Sequence, residues 1–205
     1  MGLLDDPKNL DILAEDNART LKLPKARLNP PVAIILIGIP ASGKSRLVEN
    51  LTNTFPLAVL SEEEMLKFLA PRISFFERAQ EEILALAEKT IEKLILGSIS
   101  CIFDYSVKKR RDRGLLREVV EKAGGKFILI YIDIPKEEAY KRLSKINYEV
   151  SRGEKKGVIM NRDLFEYEVT STTAPSVGEG ALVFQTQKPE SMQIIIDQLS
   201  RIAGF

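Results

Sequence analysis

The chain has 205 residues, 44% of them hydrophobic, and its 30 lysines and arginines nearly balance 29 aspartates and glutamates. This length and composition predict one globular domain with a real core. The net charge of +1 gives no overall field that would attract nucleic acid or a membrane, although it leaves room for a local basic patch. The absence of histidine excludes histidine general bases and histidine-ligated zinc.

The single cysteine and the short apolar runs indicate the cellular compartment in which the protein is found. Cys101 has no second cysteine to pair with, which fits a reducing environment. The first 20 residues lack the apolar stretch of a signal peptide, and no run approaches the length of a membrane span. We therefore expect a cytoplasmic protein without a membrane partner.

The first 31 residues are predicted to be a helical extension and a linker, with one domain over 32–205. Asp6 and Pro7 are a cap residue and a proline at the first helical position, which is typical of a helix start. Leu10, Leu13 and Ala14 would form the apolar face of that helix. We interpret the extension as a brace on the outside of the core.

A phosphate-binding loop is predicted directly after the first strand. The apolar run 32–37 reads as a strand buried on both faces, and 46–51 reads as an amphipathic helix. Between them the chain fits G-x-x-x-x-G-K-[ST] with the residues Gly38, Ile39, Pro40, Ala41, Ser42, Gly43, Lys44 and Ser45. The two glycines let backbone N–H groups converge on one anion, and the helix dipole favours it. We expect these eight residues to bind ATP, with Lys44 on the β- and γ-phosphates and Ser45 on Mg²⁺.

The rest of the chain alternates between apolar strands and amphipathic helices. Strands are predicted over 57–60, 99–104, 127–132 and 181–184. Helices are predicted over 61–69, 74–96, 108–123, from 135 onward and at the C-terminus. Capping boxes at Ser61–Glu64 and Ser74–Glu77 mark two of the helix starts. This order predicts an α/β fold whose parallel sheet is covered on both faces.

Polar residues follow several of the predicted strands. Gly38, Ser61, Asp104 and Asp133 lie at or just past strand ends, where parallel sheets bind their ligands, so we expect them to rim one crevice. Asp104 fits the carboxylate that holds Mg²⁺ directly or through water. Ser45 and Asp104 are therefore the predicted metal ligands. The alternative for Asp104 is a turn or helix-cap aspartate.

Three glutamates follow the second strand, where a phosphotransferase needs a base for the acceptor hydroxyl. Glu64 belongs to the capping box, and Glu62 would complement the helix dipole. Glu63 remains, and we predict that it orients and deprotonates the acceptor. The alternative is a solvated first helical turn.

Two basic regions could serve the same site. The cluster from Lys108 to Arg113 would bind an acceptor phosphate or a nucleic-acid strand, or else be a solvated helix face. The polar segment of about 146–166 is predicted to be a lid whose cations close on the γ-phosphate. Arg142 and Arg152 are the best candidates for the catalytic cation. The alternative is an ordinary surface loop.

The pattern resembles the P-loop kinases of the AAA_33 type, which include polynucleotide 5′-hydroxyl kinases, zeta-toxin-like kinases and chloramphenicol phosphotransferases. The resemblance runs from about residue 32 to 184 and is most specific over 38–45. It implies a three-layer fold with a five-stranded parallel sheet in the order 2-3-1-4-5. It also implies that an arginine like Arg142 lies over the adenine or begins the lid.

Two departures from the family pattern concern the acceptor. The family has serine-x-aspartate with an arginine three residues later, whereas this chain has Ser61-Glu62-Glu63 and Leu66. Tyr105 and Ser106 stand where threonine and asparagine often follow the strand-three aspartate. The acceptor therefore stays open.

The leading hypothesis is an ATP-dependent kinase acting on a hydroxyl of a small molecule or nucleic acid. One alternative is a nucleotide-binding switch or ATPase without phosphotransfer. The other is nucleic-acid end processing, in which the cluster from Lys108 to Arg113 holds a strand.

Overall fold

The structure is a computed structural model that describes residues 7–70 and 79–203. Its strands are β1 (Val32–Ile37), β2 (Ala58–Ser61), β3 (Cys101–Ser106), β4 (Lys126–Asp133) and β5 (Leu182–Gln185). They form one parallel sheet in the order β2-β3-β1-β4-β5, which confirms the predicted fold class and strand order.

The helices follow the predicted alternation. They are α1 (Pro7–Thr20), α2 (Lys44–Thr54), α3 (Glu62–Leu69), α4 (Ala79–Leu96), α5 (Arg110–Lys122), α6 (Lys136–Ser151), α7 (Arg162–Ser171) and α8 (Ser191–Ala203). A 3-10 turn at Val177–Glu179 precedes β5. The predicted cap at Asp6 and the capping box at Ser74–Glu77 lie outside the described residues. At α3 the Ser61 hydroxyl accepts a hydrogen bond from the Glu64 N–H, which confirms the cap, but the return bond from the Ser61 N–H to the Glu64 carboxylate, which would complete the predicted capping box, is not among the bonds of the described residues.

The sheet lies between two apolar layers, and β1 contributes to both. Ala33, Ile35 and Ile37 pack with residues of α1, α3, α4 and α5, whereas Val32, Ile34 and Leu36 pack with α2 and α8. All six residues of β1 are buried. A continuous apolar run is what a strand needs when both of its faces are covered, and it places the residue after Ile37 at the centre of the sheet edge.

Strand β3 continues past Asp104, so the prediction that the strand ends there was wrong. Ile35 pairs with Phe103, but the next residue, Leu36, pairs with Ser106, so Asp104 and Tyr105 form a bulge opposite β1. A bulge redirects side chains at the sheet edge. The Ser106 hydroxyl donates to the Gly38 carbonyl (2.9 Å) and accepts from the Gly38 N–H (3.2 Å), which ties β3 to the start of the phosphate loop.

Arg113 was expected to bind a ligand or face the solvent, and it does neither. Its side chain is 1% exposed and makes two hydrogen bonds to the Glu179 carboxylate, at 2.6 and 3.1 Å. It also donates to the carbonyls of Val107 and Lys108, at 3.1 and 2.7 Å. This buried pair joins the start of α5 to the turn before β5. Arg110 and Arg111 are exposed.

Helix α1 packs against α4, and its interpretation as a brace stays a prediction. Leu13 and Ala14 enter the core, and the Thr90 hydroxyl donates to Asn17 Oδ1 at 3.3 Å. The division into an extension over 1–31 and a domain over 32–205 stays a prediction. Within residues 7–70 and 79–203, the structure contains no helix with the length and apolar character needed to cross a membrane.

We predict that Glu179→Gln lowers the free energy of unfolding by about 3 kcal/mol at pH 7, because it leaves the Arg113 guanidinium buried without its counter-charge. The Arg113 guanidinium and the hydrogen bonds it donates lower the pKa of Glu179 from 4.5 to about 2. A depressed carboxyl pKa contributes stability above pH 4.5 that is lost as the pH falls toward 2. The difference between wild type and variant should therefore shrink over that range in urea denaturation.

The matched control is Glu118→Gln, which breaks an exposed pair with Lys122. It should change the unfolding free energy by less than about 0.5 kcal/mol. Equal effects of the two substitutions would contradict a stabilising role for the buried pair.

Candidate functional site

The phosphate loop leaves β1 at Gly38 and enters α2 at Lys44. Gly43 precedes the helix with φ +103° and ψ 19°, and Ala41 also has a positive φ of 56°. The Ser42 N–H donates to the Ile39 carbonyl at 3.2 Å, which closes the turn between these two residues. Glycine at 43 meets the need for a left-handed residue before the helix.

The centre of the loop is crowded and contains an unpartnered hydroxyl. A Cβ atom on Gly38 would lie 2.8 Å from Ser42 Oγ and 3.1 Å from Ile132 Cβ, so only glycine fits there. Ser42 Oγ is buried and makes no hydrogen bond within the described part of the chain. A buried hydroxyl without a partner is costly, and a phosphate oxygen on the loop would supply one.

Lys44 lies inside the loop. Its ammonium donates to the carbonyls of Gly38 (2.9 Å) and Ile39 (3.1 Å). Burial lowers the pKa of Lys44 from 10.5 to about 8, although the negative charges of Asp104, Glu62 and Glu168 partly raise it. The ammonium is thus desolvated and positioned before any anion arrives.

Ser45 and Asp104, the predicted metal ligands, are neighbours. Both line the same cleft, and the Ser45 hydroxyl lies close enough to the Asp104 carboxylate to affect its pKa. Burial raises the pKa of Asp104, while the Ser45 hydrogen bond and the Lys44 charge lower it. A hydroxyl and a carboxylate are the donors Mg²⁺ prefers, and Mg²⁺ takes its other ligands from phosphates and water. No group of three or more acidic or cysteine side chains that could hold a metal occurs among residues 7–70 and 79–203, and the metal role of Ser45 and Asp104 stays a prediction.

In the first turn of α3, the surroundings of Glu62 and Glu63 differ from the prediction. Glu63 has a 78% exposed side chain and pairs with Lys67 at 2.6 Å, and the Lys67 hydrogen bond and charge lower the pKa of Glu63. Burial raises the pKa of Glu62, against the charges of Lys44 and Lys108. Glu62 is exposed, as Glu63 is, but it lies close enough to Lys44 and Lys108 for their charges to act on its pKa, and the role predicted for Glu63 stays a prediction.

A cleft of roughly 370 Å³ opens beside the loop. The residues that line it come from the loop, the end of β2, α3 and the β3 bulge: Lys44, Ser45, Ser61, Glu62, Glu63, Leu66, Asp104 and Tyr105. Burial raises the pKa of the Tyr105 phenol, and the charges of Glu62 and Glu168 add to this effect. The cleft can accommodate an acceptor between the phosphate loop and α3.

Sequence reasoning named Lys108 only within a basic cluster and missed its partner Glu168. The Lys108 ammonium pairs with Glu168 of α7 at 2.5 Å, with 13% and 16% of the two side chains exposed. The charges of Lys108 and Glu168 both affect the pKa values of Glu62 and Lys44. Lys108 was visible only as part of a basic run, and no local pattern connects it to Glu168.

The two predicted lid arginines lie in different surroundings. Arg142 Nη1 is 4.0 Å from the position that a Cβ on Gly43 would occupy, and Arg142 Nε donates to Glu138 at 3.2 Å. Arg152 is 58% exposed, pairs with Glu154 at 2.6 Å, and lies over the Tyr148 ring. The structure thus brings Arg142, and not Arg152, against the phosphate loop.

The predicted lid, about 146–166, spans the end of α6, a loop and the start of α7. Asn147 fixes that loop by donating to the Met160 carbonyl (2.7 Å) and accepting from the Met160 N–H (3.1 Å). Thr186, just after β5, is a further residue that the sequence did not indicate. Its Cγ2 atom is 3.7 Å from the same Gly43 position, and its buried hydroxyl has no hydrogen-bond partner among the described residues.

Comparison with known proteins identifies the fold. Residues 34–156, more than half of the chain, match the AAA_33 family model, whose description is AAA domain. No curated protein sequence matches the chain.

Three solved structures illustrate the likeness. A gluconokinase from Sinorhizobium meliloti 1021 aligns with 18% identity and a TM-score of 0.61 over 85% of this chain and 95% of its own. The Mycobacterium tuberculosis APS kinase CysC, in complex with AMPPNP and APS, aligns with 18% identity and a TM-score of 0.58, over 83% and 98%. Chaetomium thermophilum Kti12, in complex with ADP-AlF3, aligns with 15% identity and a TM-score of 0.63, over 83% and 98%. At these identities the likeness shows a P-loop kinase-like fold.

We predict that Gly43→Ala destabilises the protein by about 1–2 kcal/mol, because an L-residue is strained at the left-handed φ of this position. The space is sufficient, since the nearest described atom would be 3.7 Å from the added carbon. The effect therefore reports backbone strain and not a clash. Thermal or urea denaturation measures it.

The control is the same change at Gly114 in the exposed face of α5, where an added Cβ meets nothing within 4 Å. Alanine there should stabilise by about 0.5–1 kcal/mol, because it restricts the unfolded chain. Gly43→Ala that is as stable as wild type would argue against a strained loop.

Proposed function

The chain belongs to the AAA_33 family, and from that membership we propose that it is a Mg²⁺-dependent kinase that transfers the γ-phosphoryl group of ATP to an alcohol. The observation that carries the proposal is the desolvated Lys44 ammonium inside the loop, beside the Ser45–Asp104 pair. Two loop carbonyls and the nearby carboxylates hold the ammonium in the loop, and a triphosphate would place negative charge directly against it. We also propose the cytoplasm as its location.

The loop would hold the nucleotide through the residues that it already orders. Lys44 would exchange its contacts with the Gly38 and Ile39 carbonyls for the β- and γ-phosphates. Backbone N–H groups of 38–45 and the Ser42 hydroxyl would bind the remaining oxygens. Ser45 and Asp104 would hold Mg²⁺, which when bound neutralises developing phosphate charge.

On the acceptor side we propose Glu62 as the general base. The acceptor oxygen would form a bond to the γ-phosphorus, the bond to the bridging oxygen would break, ADP would leave with that electron pair, and the hydroxyl proton would pass to Glu62. Both glutamates line the cleft, but partial desolvation raises the pKa of Glu62, whereas the Lys67 ion pair lowers that of Glu63. Glu62 is therefore the better proton acceptor of the two.

Arg142 is our candidate for the lid cation, since its guanidinium lies nearest the loop. Preorganised positive charge stabilises the spreading negative charge of the transition state. Arg152 would need the segment that carries it to close on the nucleotide. Its role, like the lid itself, stays a prediction.

A second candidate is a nucleotide-binding switch that does not transfer phosphate. It is favoured by Leu66, which occupies the place where related kinases carry an arginine. Intact ATP after incubation with acceptors of every class would support it.

We predict that the affinity for Mg·ATP weakens above pH 8. Lys44 has a pKa of about 8 in the free protein, and bound phosphate would raise it, so binding takes up a proton once the pH exceeds 8. The affinity should then fall by up to about tenfold per pH unit. Calorimetry between pH 7.5 and 9.5 measures the slope. Lys44→Met should bind weakly and without that slope, and a flat wild-type profile would contradict the proposed role.

We predict that Glu62→Gln reduces phosphotransfer by about 10²–10⁴-fold, the range of general-base catalysis, while Mg·ATP still binds. Glu63→Gln is the matched control and should change the rate by less than about threefold, since exposed pairs contribute little. Product formation from labelled ATP is the measurement. A larger loss of rate in Glu63→Gln than in Glu62→Gln would identify Glu63 as the general base.

A further inference from the structure

The acceptor side of the cleft is acidic. Among its lining residues Glu62, Glu63 and Asp104 carry negative charge, and Lys44 carries positive charge. In the proposed reaction Lys44 belongs to the nucleotide, and Asp104 to the metal. The charged side chains left to face an acceptor are the two glutamates.

The nearest cation on this side, Lys108, is already neutralised. Glu168 binds its ammonium at 2.5 Å where both side chains are largely buried. The Lys108 backbone is also fixed, because its carbonyl accepts hydrogen bonds from Arg113 Nη1 (2.7 Å) and from the Thr173 N–H (3.2 Å). Two backbone hydrogen bonds therefore fix the position of Lys108, and its side chain is paired with Glu168.

Lys109 and Arg111 line a neighbouring cavity with Lys108 and Tyr105, and neither of them lines the cleft. Position 66, which does line the cleft, is leucine. Lys67 is 70% exposed and pairs with Glu63, and the charge of Lys156 also acts on Glu63. With Glu63 paired to Lys67, Glu62 is the carboxylate left without an ion pair among the described residues, so a carboxylate or phosphate beside the acceptor hydroxyl would be repelled, whereas an ammonium would be attracted.

We propose that Glu168 determines the charge of the acceptor: by neutralising Lys108 it makes the cleft select an alcohol with a cationic reacting end, an amino alcohol or amino sugar, over an anionic one. This inference rests on the proposed kinase function. Glu168 acts through Lys108 and is a specificity-determining residue, not a catalytic one.

The test uses two small probes that share a hydroxymethyl group and differ in charge, ethanolamine and glycolate. The full chain, labelled with nitrogen-15 and loaded with Mg·AMPPNP, is titrated with each at pH 7 and equal ionic strength, and the amides of Glu62, Leu66 and Tyr105 are followed. Ethanolamine should bind at least about tenfold tighter, equivalent to about 1.4 kcal/mol.

The ratio of the two affinities should reverse in Glu168→Gln, because Lys108 becomes free to bind glycolate. The control, Glu166→Gln on the same helix, removes the partner of Lys136 and should keep the wild-type ratio. Lys108→Gln, which leaves Glu168 unpaired, should raise the preference for ethanolamine and provides a second variant should Glu168→Gln fail to fold. Damage to the fold would weaken both probes together and would not reverse their ratio.

Three results would overturn the inference: glycolate binding as tightly as ethanolamine in wild type, no shift with ethanolamine, or an unchanged ratio in Glu168→Gln. Arg72 and Arg78 lie outside the described residues, and a glycolate preference that is lost on their replacement by glutamine would overturn it and identify the cause. The amides of Gly43 and Lys44 report AMPPNP binding separately. Their failure to shift would count against the proposed function itself, whereas an unfavourable ratio with nucleotide bound counts against the acceptor inference alone.

Discussion

The burial of one ammonium group is the constraint on which the rest of the site depends. Lys44 is surrounded by loop backbone, and two carbonyl oxygens take the place of its hydration shell. Dipoles alone compensate a buried charge poorly, and the nearby carboxylates Asp104, Glu62 and Glu168 complete the balance. Each of these three comes from a different element, so the sheet edge, α3 and α7 all contribute negative charge that favours the ammonium form of Lys44.

The sheet provides this arrangement through its topology. Strand β1 lies between β3 and β4, so the loop that follows it starts at the centre of the carboxyl edge. The bulge in β3 brings Asp104 beside Ser45 while Ser106 still reaches Gly38. An uninterrupted strand would change the face that one of these residues presents, because side chains alternate along a strand.

The sequence was most informative where the chemistry is local. The phosphate loop is contiguous, and a buried strand and a helix frame it, so pattern alone located it; the strand order came from the family resemblance. The choice between Glu62 and Glu63 depends on how α3 is rotated against the cleft, and adjacent residues on a helix point in directions about 100° apart. Arginine is usually a surface residue, and Arg113 is buried because the Glu179 carboxylate pairs with its guanidinium. Glu168 and Thr186 lie far along the chain from the loop, and only tertiary packing brings them to the site.

The link between Arg113 and Glu179 also has a consequence for the order in which the chain matures. Because the two residues are far apart in sequence, a nascent polypeptide displays α5 long before its counter-ion leaves the ribosome. Until then the guanidinium lacks its counter-charge, and burying it against the sheet costs free energy. Complete packing of α5 therefore depends on the segment that leads into the last strand. A truncated translation product that ends before Glu179 would remain incompletely packed.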